Sequence, residues 1–171
     1  GHGADVISSI MENFRFDRVF YSGSTHVGTI IYEMAAKKLV PVTLEMGGKC
    51  PCIIEKDANL RIAARRIAVT KFSNAGQMCV APDHVIVHQD VKEKFVHEIK
   101  KAIHDFYNSE EQKNYYGKIV NEKHFRRLLV YMKEGDVIYG GSYNGEHLFI
   151  EPTLIENVSP DFAMMKEEFF G

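Results

Sequence analysis

The strongest constraint in this sequence is a rhythm of elements. Short apolar runs that stop at glycine alternate with segments whose apolar residues recur at helical spacing. Val6, Ile7, Ile10, Met11 and Phe14 predict a helix over residues 4–14. Arg18-Val19-Phe20-Tyr21 reads as a strand that ends at Ser22-Gly23-Ser24. Val27, Ile30, Ile31, Met34, Ala35 and Leu39 then mark a second helix, with Ser24 or Thr25 as its N-cap. Pro41-Val42-Thr43-Leu44-Glu45 is the next strand, closed by Met46-Gly47-Gly48. Parallel strands need a long crossover, usually a helix, so this order predicts an α/β fold: a parallel open sheet with helices on both faces.

The rhythm continues beyond the double glycine. Pro51-Cys52-Ile53-Ile54 reads as a strand, and Asp57 is placed to cap a long helix through Phe72. Leu60, Ala63, Ala64, Ile67 and Ala68 form its apolar face, leaving Arg61, Arg65 and Arg66 on the solvated one. Residues 73–80 have no period, and a strand follows at His84–His88. Asp90 and Glu93 predict a capping box for a helix carrying Val91, Phe95, Ile99, Ile103 and Phe106 on one stripe. Tyr107 to Gly117 is polar and turn-rich. Asn121 caps a helix with Phe125, Leu128, Leu129 and Met132 inside, and Val137-Ile138-Tyr139 is a short strand. Phe149-Ile150 and Thr153-Leu154-Ile155 flank Pro152, which predicts an edge strand or an interrupted one. The best boundary is the double glycine, dividing residues 1–46 from 47–171.

Charge and cysteine usage narrow the function classes. The 21 Lys+Arg against 23 Asp+Glu leave a net charge of -2, which gives no electrostatic basis for a nucleic-acid or anionic-membrane partner. No apolar run approaches the roughly 18 residues of a membrane helix. Gly1-His2-Gly3-Ala4-Asp5 does not read as a signal peptide. The three cysteines, Cys50, Cys52 and Cys79, are expected as reduced thiols in a cytosol-like compartment, so the default location is cytoplasmic, with a targeting signal or anchor left to segments outside this sequence. No metal site is expected. Cys50 and Cys52 match no zinc spacing, and His84 and His88 on a strand stand about 13 Å apart.

Three places carry chemistry-bearing residues. Gly23-Ser24-Thr25-His26-Val27-Gly28 joins a strand to a helix, either as a plain helix start or as a phosphate cradle at the helix N-terminus. Cys79 follows a Gly/Asn/Gln-rich segment and is either an accessible nucleophile or a packed thiol. Glu45 ends a strand beside glycines, facing a cleft as a general base or standing as the first solvated residue.

Four segments in order resemble the aldehyde dehydrogenase superfamily: Phe20-Tyr21-Ser22-Gly23-Ser24-Thr25-His26-Val27-Gly28, Leu44-Glu45-Met46-Gly47-Gly48-Lys49, Asn74-Ala75-Gly76-Gln77-Met78-Cys79 and Lys166-Glu167-Glu168-Phe169-Phe170-Gly171. Val40–Glu45 and Ala81-Pro82-Asp83 resemble the branch acting on fatty, aromatic and other medium or long aldehydes. The resemblance implies a partial aldehyde dehydrogenase-like fold: residues 1–46 as the end of a Rossmann-like NAD(P)-binding domain, and residues 47–171 as most of the catalytic domain. It implies a piece of a longer enzyme, inactive alone, whose intact form takes an aldehyde substrate and is a homodimer or homotetramer.

Carried over, Cys79 is the nucleophile that forms a thiohemiacetal and then a thioester, and Glu45 activates the hydrolytic water. Gly23, Ser24, Val27 and Gly28 contact the cofactor's pyrophosphate and adenine side. Glu168 holds the nicotinamide ribose, and Phe170 lies beside the nicotinamide. The cofactor is NAD or NADP, with NAD favoured. Asn74 shapes the loop before the cysteine. Met46, Phe169 and Cys50 depart from the family's usual leucine, aliphatic residue and serine, and Cys50 adds an oxidisable thiol. A coenzyme A-acylating relative and a non-catalytic module of the same fold are the alternatives.

Overall fold

The computed structural model describes residues 3–109 and 114–171. Residues 1 and 2, within the opening segment, and residues 110–113, within the predicted turn-rich stretch, lie outside the described residues. The chain divides into two compact units, Gly1–Gly47 and Gly48–Gly171.

The first unit contains α1 (Gly3–Asn13), β1 (Val19–Gly23), α2 (Thr25–Ala36) and β2 (Val42–Met46). β1 and β2 pair in parallel, in a register that runs from Val19 with Val42 to Gly23 with Met46. α2 is the crossover between them. Met11, Ala35 and Val40 are buried, with Ile7, Val19, Met34 and Val42 packed against them. α2 ends in a Schellman motif: the Val40 N–H donates to Ala35 and the Leu39 N–H to Ala36. Leu39 takes the left-handed position usually given to glycine, with φ 53°. Lys38 Nζ reaches the Glu12 and Phe14 carbonyls at 2.7 and 3.1 Å, tying this corner to the end of α1.

The second unit begins with β3 (Pro51–Ile54), α3 (Leu60–Phe72) and β4 (His84–Val87), another parallel pair joined by a helix. α4 (Lys92–Tyr107) packs along α3. Ala64 and Ala68 are fully buried on α3, and their lack of bulk lets Ile99, Ala102 and Ile103 of α4 seat against them beside Phe72 and Phe95. Burying side chains the size of Phe95, Ile99 and Ile103 stabilises the unit by about 2 kcal/mol each. α5 (Glu122–Tyr131) contributes Phe125, Leu128 and Tyr131 to a second cluster that includes Ala75, Ile119 and Met164. The remainder is antiparallel: β5 (Asp136–Tyr139) pairs with β8 (Leu154–Glu156), and β6 (Tyr143–Asn144) with β7 (Phe149–Ile150). A short α6 (Ala163–Lys166) precedes the final segment.

Two local expectations are corrected. The N-cap of α3 is Asn59, whose Oδ1 accepts from the Ile62 N–H at 3.2 Å. Asp57 sits too early, in the turn closed by the Ala58 N–H on the Glu55 carbonyl. The Asp90–Glu93 capping box does not form. The His88 ring accepts from the Asp90 N–H and winds Gln89–Val91 into a 3-10 turn, so α4 starts from Val91 without a side-chain cap. The interruption expected at Pro152 is present: two strands with different partners flank it, because proline cannot donate to a continuous ladder.

Candidate active site

In the first unit the parallel register sets Ser22 beside Glu45 and Gly23 beside Met46. Glu45 is exposed at the C-terminal end of β2. The same sheet edge carries the turn into α2, where Ser24 is the N-cap and its Oγ accepts from the Val27 N–H at 3.4 Å. The Tyr21 hydroxyl donates to the Ser24 carbonyl at 3.2 Å. Gly23 has φ +155°, and a Cβ there would run into the Tyr21 hydroxyl. Gly28 is buried, its Cα side pressed against Met46 Sδ and the Tyr21 ring, so α2 lies close to the strands. The remaining N–H groups of the first turn and the Ser24 hydroxyl form a geometry that suits an anion.

In the second unit the chain leaves α3 through an unusual turn. Asn74 and Ala75 have φ 50° and 54°, and Gly76 follows at +76°, so three consecutive residues are left-handed. Only glycine takes such a conformation without strain, and a non-glycine there costs about 1 to 3 kcal/mol. Gln77 offsets that cost. Its side chain, in a residue only 8% exposed, donates from Nε2 to the Asn74 carbonyl at 3.0 Å and to the Lys118 carbonyl at 2.9 Å, and its Oε1 accepts from the Val120 N–H at 2.9 Å. Asn74 Nδ2 donates back to the Gln77 carbonyl at 3.2 Å. Asn74 therefore does shape the loop. Cys79, two residues beyond this clamp, is exposed.

Below Cys79 lies a charged centre built on Asp83, whose side chain is only 2% exposed. Lys49 Nζ pairs with it at 2.8 Å, the His84 ring makes a short contact, and the Cys50 N–H donates to it at 3.1 Å. Burial pushes the Asp83 carboxyl up, but the bonds from Lys49, His84 and the Cys50 amide outweigh it and hold the group below the usual carboxylate range. Cys50 Sγ donates to the Cys79 carbonyl at 3.1 Å. Burial raises the Cys50 thiol, and the charges of Asp83, Cys79 and Glu168 raise it further against Lys49. Cys79, Cys50, Asp83, Lys49 and Glu168 thus share one neighbourhood.

The final segment is strapped down by side chains. Arg127 donates to the Glu168 and Phe169 carbonyls at 3.1 and 2.6 Å, and the Tyr131 hydroxyl to the Glu167 carboxylate at 2.6 Å. Lys71 Nζ donates to the Gly171 carbonyl at 2.7 Å and lies 4.4 Å from the Phe169 ring centroid. Burial lowers the Lys71 amine to about 8, with Asp83 opposing. Phe170 has φ 46° and is exposed; Glu168 is half-buried.

Glu45, Gly23, Ser24, Val27 and Gly28 belong to the first unit; Cys79, Glu168 and Phe170 belong to the second. Gln77, Asp83, Arg127 and Lys71 escaped the reading of residues by period, since each acts on backbone far away in sequence. The only local signal was a polar residue inside an aperiodic stretch. A cavity of about 550 Å3 in the second unit, lined by Val85, Ile99, Ile119, Leu128 and Leu154 among others, does not include Cys79 in its walls. Among the described residues no group of three or more His, Cys, Asp or Glu side chains is placed to hold a metal ion, and no helix is long and apolar enough to cross a membrane.

Residues 1–171 match the profile of the aldehyde dehydrogenase family. The chain is 46% identical to the 4,4'-diaponeurosporen-aldehyde dehydrogenase of Staphylococcus aureus, over 91% of this chain and 35% of that protein. It is 42% identical to the dimeric NADP-preferring aldehyde dehydrogenase of Mus musculus, over 92% of this chain and 35% of that protein. The substrate-bound structure of Staphylococcus aureus AldH superposes on it with a TM-score of 0.92 at 42% identity, covering 100% of this chain and 38% of that one. The chain therefore spans about a third of the length of these relatives.

Proposed function

This chain belongs to the aldehyde dehydrogenase family, and on that premise we propose that the whole protein oxidises an aldehyde to a carboxylic acid with NAD(P)+. The observation that carries the reading is the exposed Cys79 at the end of a strained, Gln77-clamped turn, within a chain matched by the family throughout. Residues 1–46 are the end of the cofactor domain in this reading, and residues 47–171 most of the catalytic domain.

The Cys79 sulfur attacks the aldehyde carbon to give a thiohemiacetal, whose oxyanion is met by the Cys79 backbone N–H. A thiolate suits both halves of the reaction: it is a ready nucleophile, and a good leaving group once the adduct has become a thioester. Glu45 takes the proton of the water that hydrolyses the thioester. Its exposure, which leaves room for that water, and its place at the end of β2 beside the α2 turn support this role. The bound cofactor supplies the hydride acceptor. Gly23, Ser24, Val27 and Gly28 hold its pyrophosphate and adenine side, Glu168 its nicotinamide ribose, and Phe170 the ring face. The α2 N-terminus supports that assignment, since its first N–H groups and the Ser24 hydroxyl lie at the end of the β1 strand.

NAD is the proposed cofactor, a fatty or aromatic aldehyde the proposed substrate class, a homodimer or homotetramer the working form, and the cytoplasm its location. The test follows NADH and NADPH absorbance of the whole protein with a panel of aldehydes, for the wild type and Cys79→Ala. Turnover that falls at least a thousandfold in a folded Cys79→Ala variant is the expected result. Unchanged turnover in the variant would overturn the assignment. An acyl-CoA product in the presence of coenzyme A would replace hydrolysis by thiol transfer. The 171-residue chain alone is expected to give no aldehyde-dependent NADH.

A further inference from the structure

Cys50 is the residue whose chemistry the proposed reaction leaves unused, and it lies against the residue that reaction depends on. Its Sγ donates to the Cys79 carbonyl at 3.1 Å, while Cys79 itself is exposed. Cys52 is two residues further into β3, roughly 6.6 Å along the strand, and makes no such contact. An accessible thiol beside a more sheltered one is the arrangement in which the first is oxidised and the second resolves it. We infer that Cys50 and Cys79 are a redox pair, closing to an intramolecular disulfide when a peroxide oxidises Cys79.

The chemistry balances. The Cys79 thiolate breaks the O–O bond of hydrogen peroxide, taking one oxygen as a sulfenic acid and releasing the other as water once protonated. The Cys50 sulfur, giving up its hydrogen bond to the Cys79 carbonyl, then displaces the sulfenic oxygen as a second water. Two thiols and one peroxide become one disulfide and two waters, with two electrons passing from sulfur to oxygen. The bond requires the two sulfurs to turn toward each other from a start in which the Cys50 sulfur already touches the Cys79 backbone. The charged and titratable groups around Cys50 are Asp83, Cys79, Glu168, Lys49, Lys71 and Cys52. Burial first, then the acidic groups and Cys79 against Lys49, raises its thiol. Closure therefore accelerates as pH climbs toward that raised value, because the attacking species is the thiolate. The bond shields Cys79 from irreversible sulfinic and sulfonic acids and is undone by a thiol reductant.

The consequence for activity rests on the role of Cys79 proposed above; the bond itself does not. The test is peptide mapping of the whole protein after brief hydrogen peroxide treatment and alkylation. Trypsin leaves Cys79 in the peptide Phe72–Lys92 and Cys50 in Cys50–Lys56. These two are expected to be joined in the wild type and in Cys52→Ser, with fragmentation placing the bond at Cys50. Dithiothreitol should part them and restore turnover. In Cys50→Ser, which keeps a hydroxyl donor for the Cys79 carbonyl, the join is expected to vanish and the loss of turnover to become irreversible. A bond to Cys52, or overoxidation of Cys79 as fast in the wild type as in Cys50→Ser, would overturn the pair. Joined peptides with undiminished turnover would keep the pair and remove Cys79 from catalysis. Unjoined peptides with turnover lost in Cys79→Ala would do the reverse.

Discussion

The turn at Gly23–Gly28 and the loop at Asn74–Cys79 both follow or precede a helix, yet they are held by opposite means. The first is fixed by its own neighbours: Ser24 caps α2, Tyr21 bonds to Ser24, and the β1–β2 register sets the strand end. Every one of those partners except the β2 strand lies within three residues. The second has no regular element to define it. Three left-handed residues are tied by Asn74–Gln77 bonds to one buried amide, and that amide is anchored on Lys118 and Val120, 41 and 43 positions away. A segment made of local bonds can be altered piecemeal. One held by a single distant clamp fails as a whole.

Gln77→Leu is the sharpest way to break that contrast. It fills the space but leaves the Lys118 carbonyl and the Val120 N–H without partners and the left-handed turn without its brace. The expected loss is on the order of 3 kcal/mol, read as a fall in the urea midpoint. If the loop were held locally, the loss would be within the noise. The acid limb of stability comes next in size. The folded Asp83 carboxyl sits below its ordinary value, so between the two values the unfolded chain binds more protons than the folded one. Asp83 therefore contributes stability that is fully present above the ordinary carboxylate range and is lost as pH falls through the folded value. Asp83→Asn should flatten the urea midpoint against pH across that window, and an unaltered slope would remove Asp83 as the electrostatic support of the Cys79 neighbourhood. The smallest effect belongs to the first unit. Ser24→Ala should cost about 1 kcal/mol, seen as faster amide hydrogen exchange in the first turn of α2 with no change in the Asn74–Cys79 loop. Exchange that quickens in both would make the two segments one cooperative device.

The same contrast explains what could be read in advance. Ser24 as the cap, Asn121 as another, the parallel order of helix and strand and the break near Gly47 all follow from residues a few positions apart. The capped turn into α2 was legible on those terms. The Asp90–Glu93 box looked equally local and failed because the His88 ring competes for the Asp90 N–H. Asp57 was a sound capping residue in the wrong place, two positions before the one that bonds to α3. Cys79, by contrast, stayed open between accessible and packed thiol until the resemblance was drawn, since no period marks a strained loop. The straps on the last segment, from Arg127, Tyr131 and Lys71, join residues 36 to 100 positions apart and leave no pattern in either stretch.

The parallel pairing of β3 with β4 has a consequence in time as well as in space. Pro51 and His84, partners at the start of that ladder, are 33 positions apart (84 minus 51), and the whole Asn74–Cys79 segment lies on the path between them. No hairpin can assemble such a pair early, so a loop of that length must close before the ladder repays its entropy. The Asn74–Cys79 loop is thus finished only when this long-range pairing has occurred. A nascent chain passes through a stage in which α3 can form while the Cys79 thiol has neither its braced turn nor its neighbour.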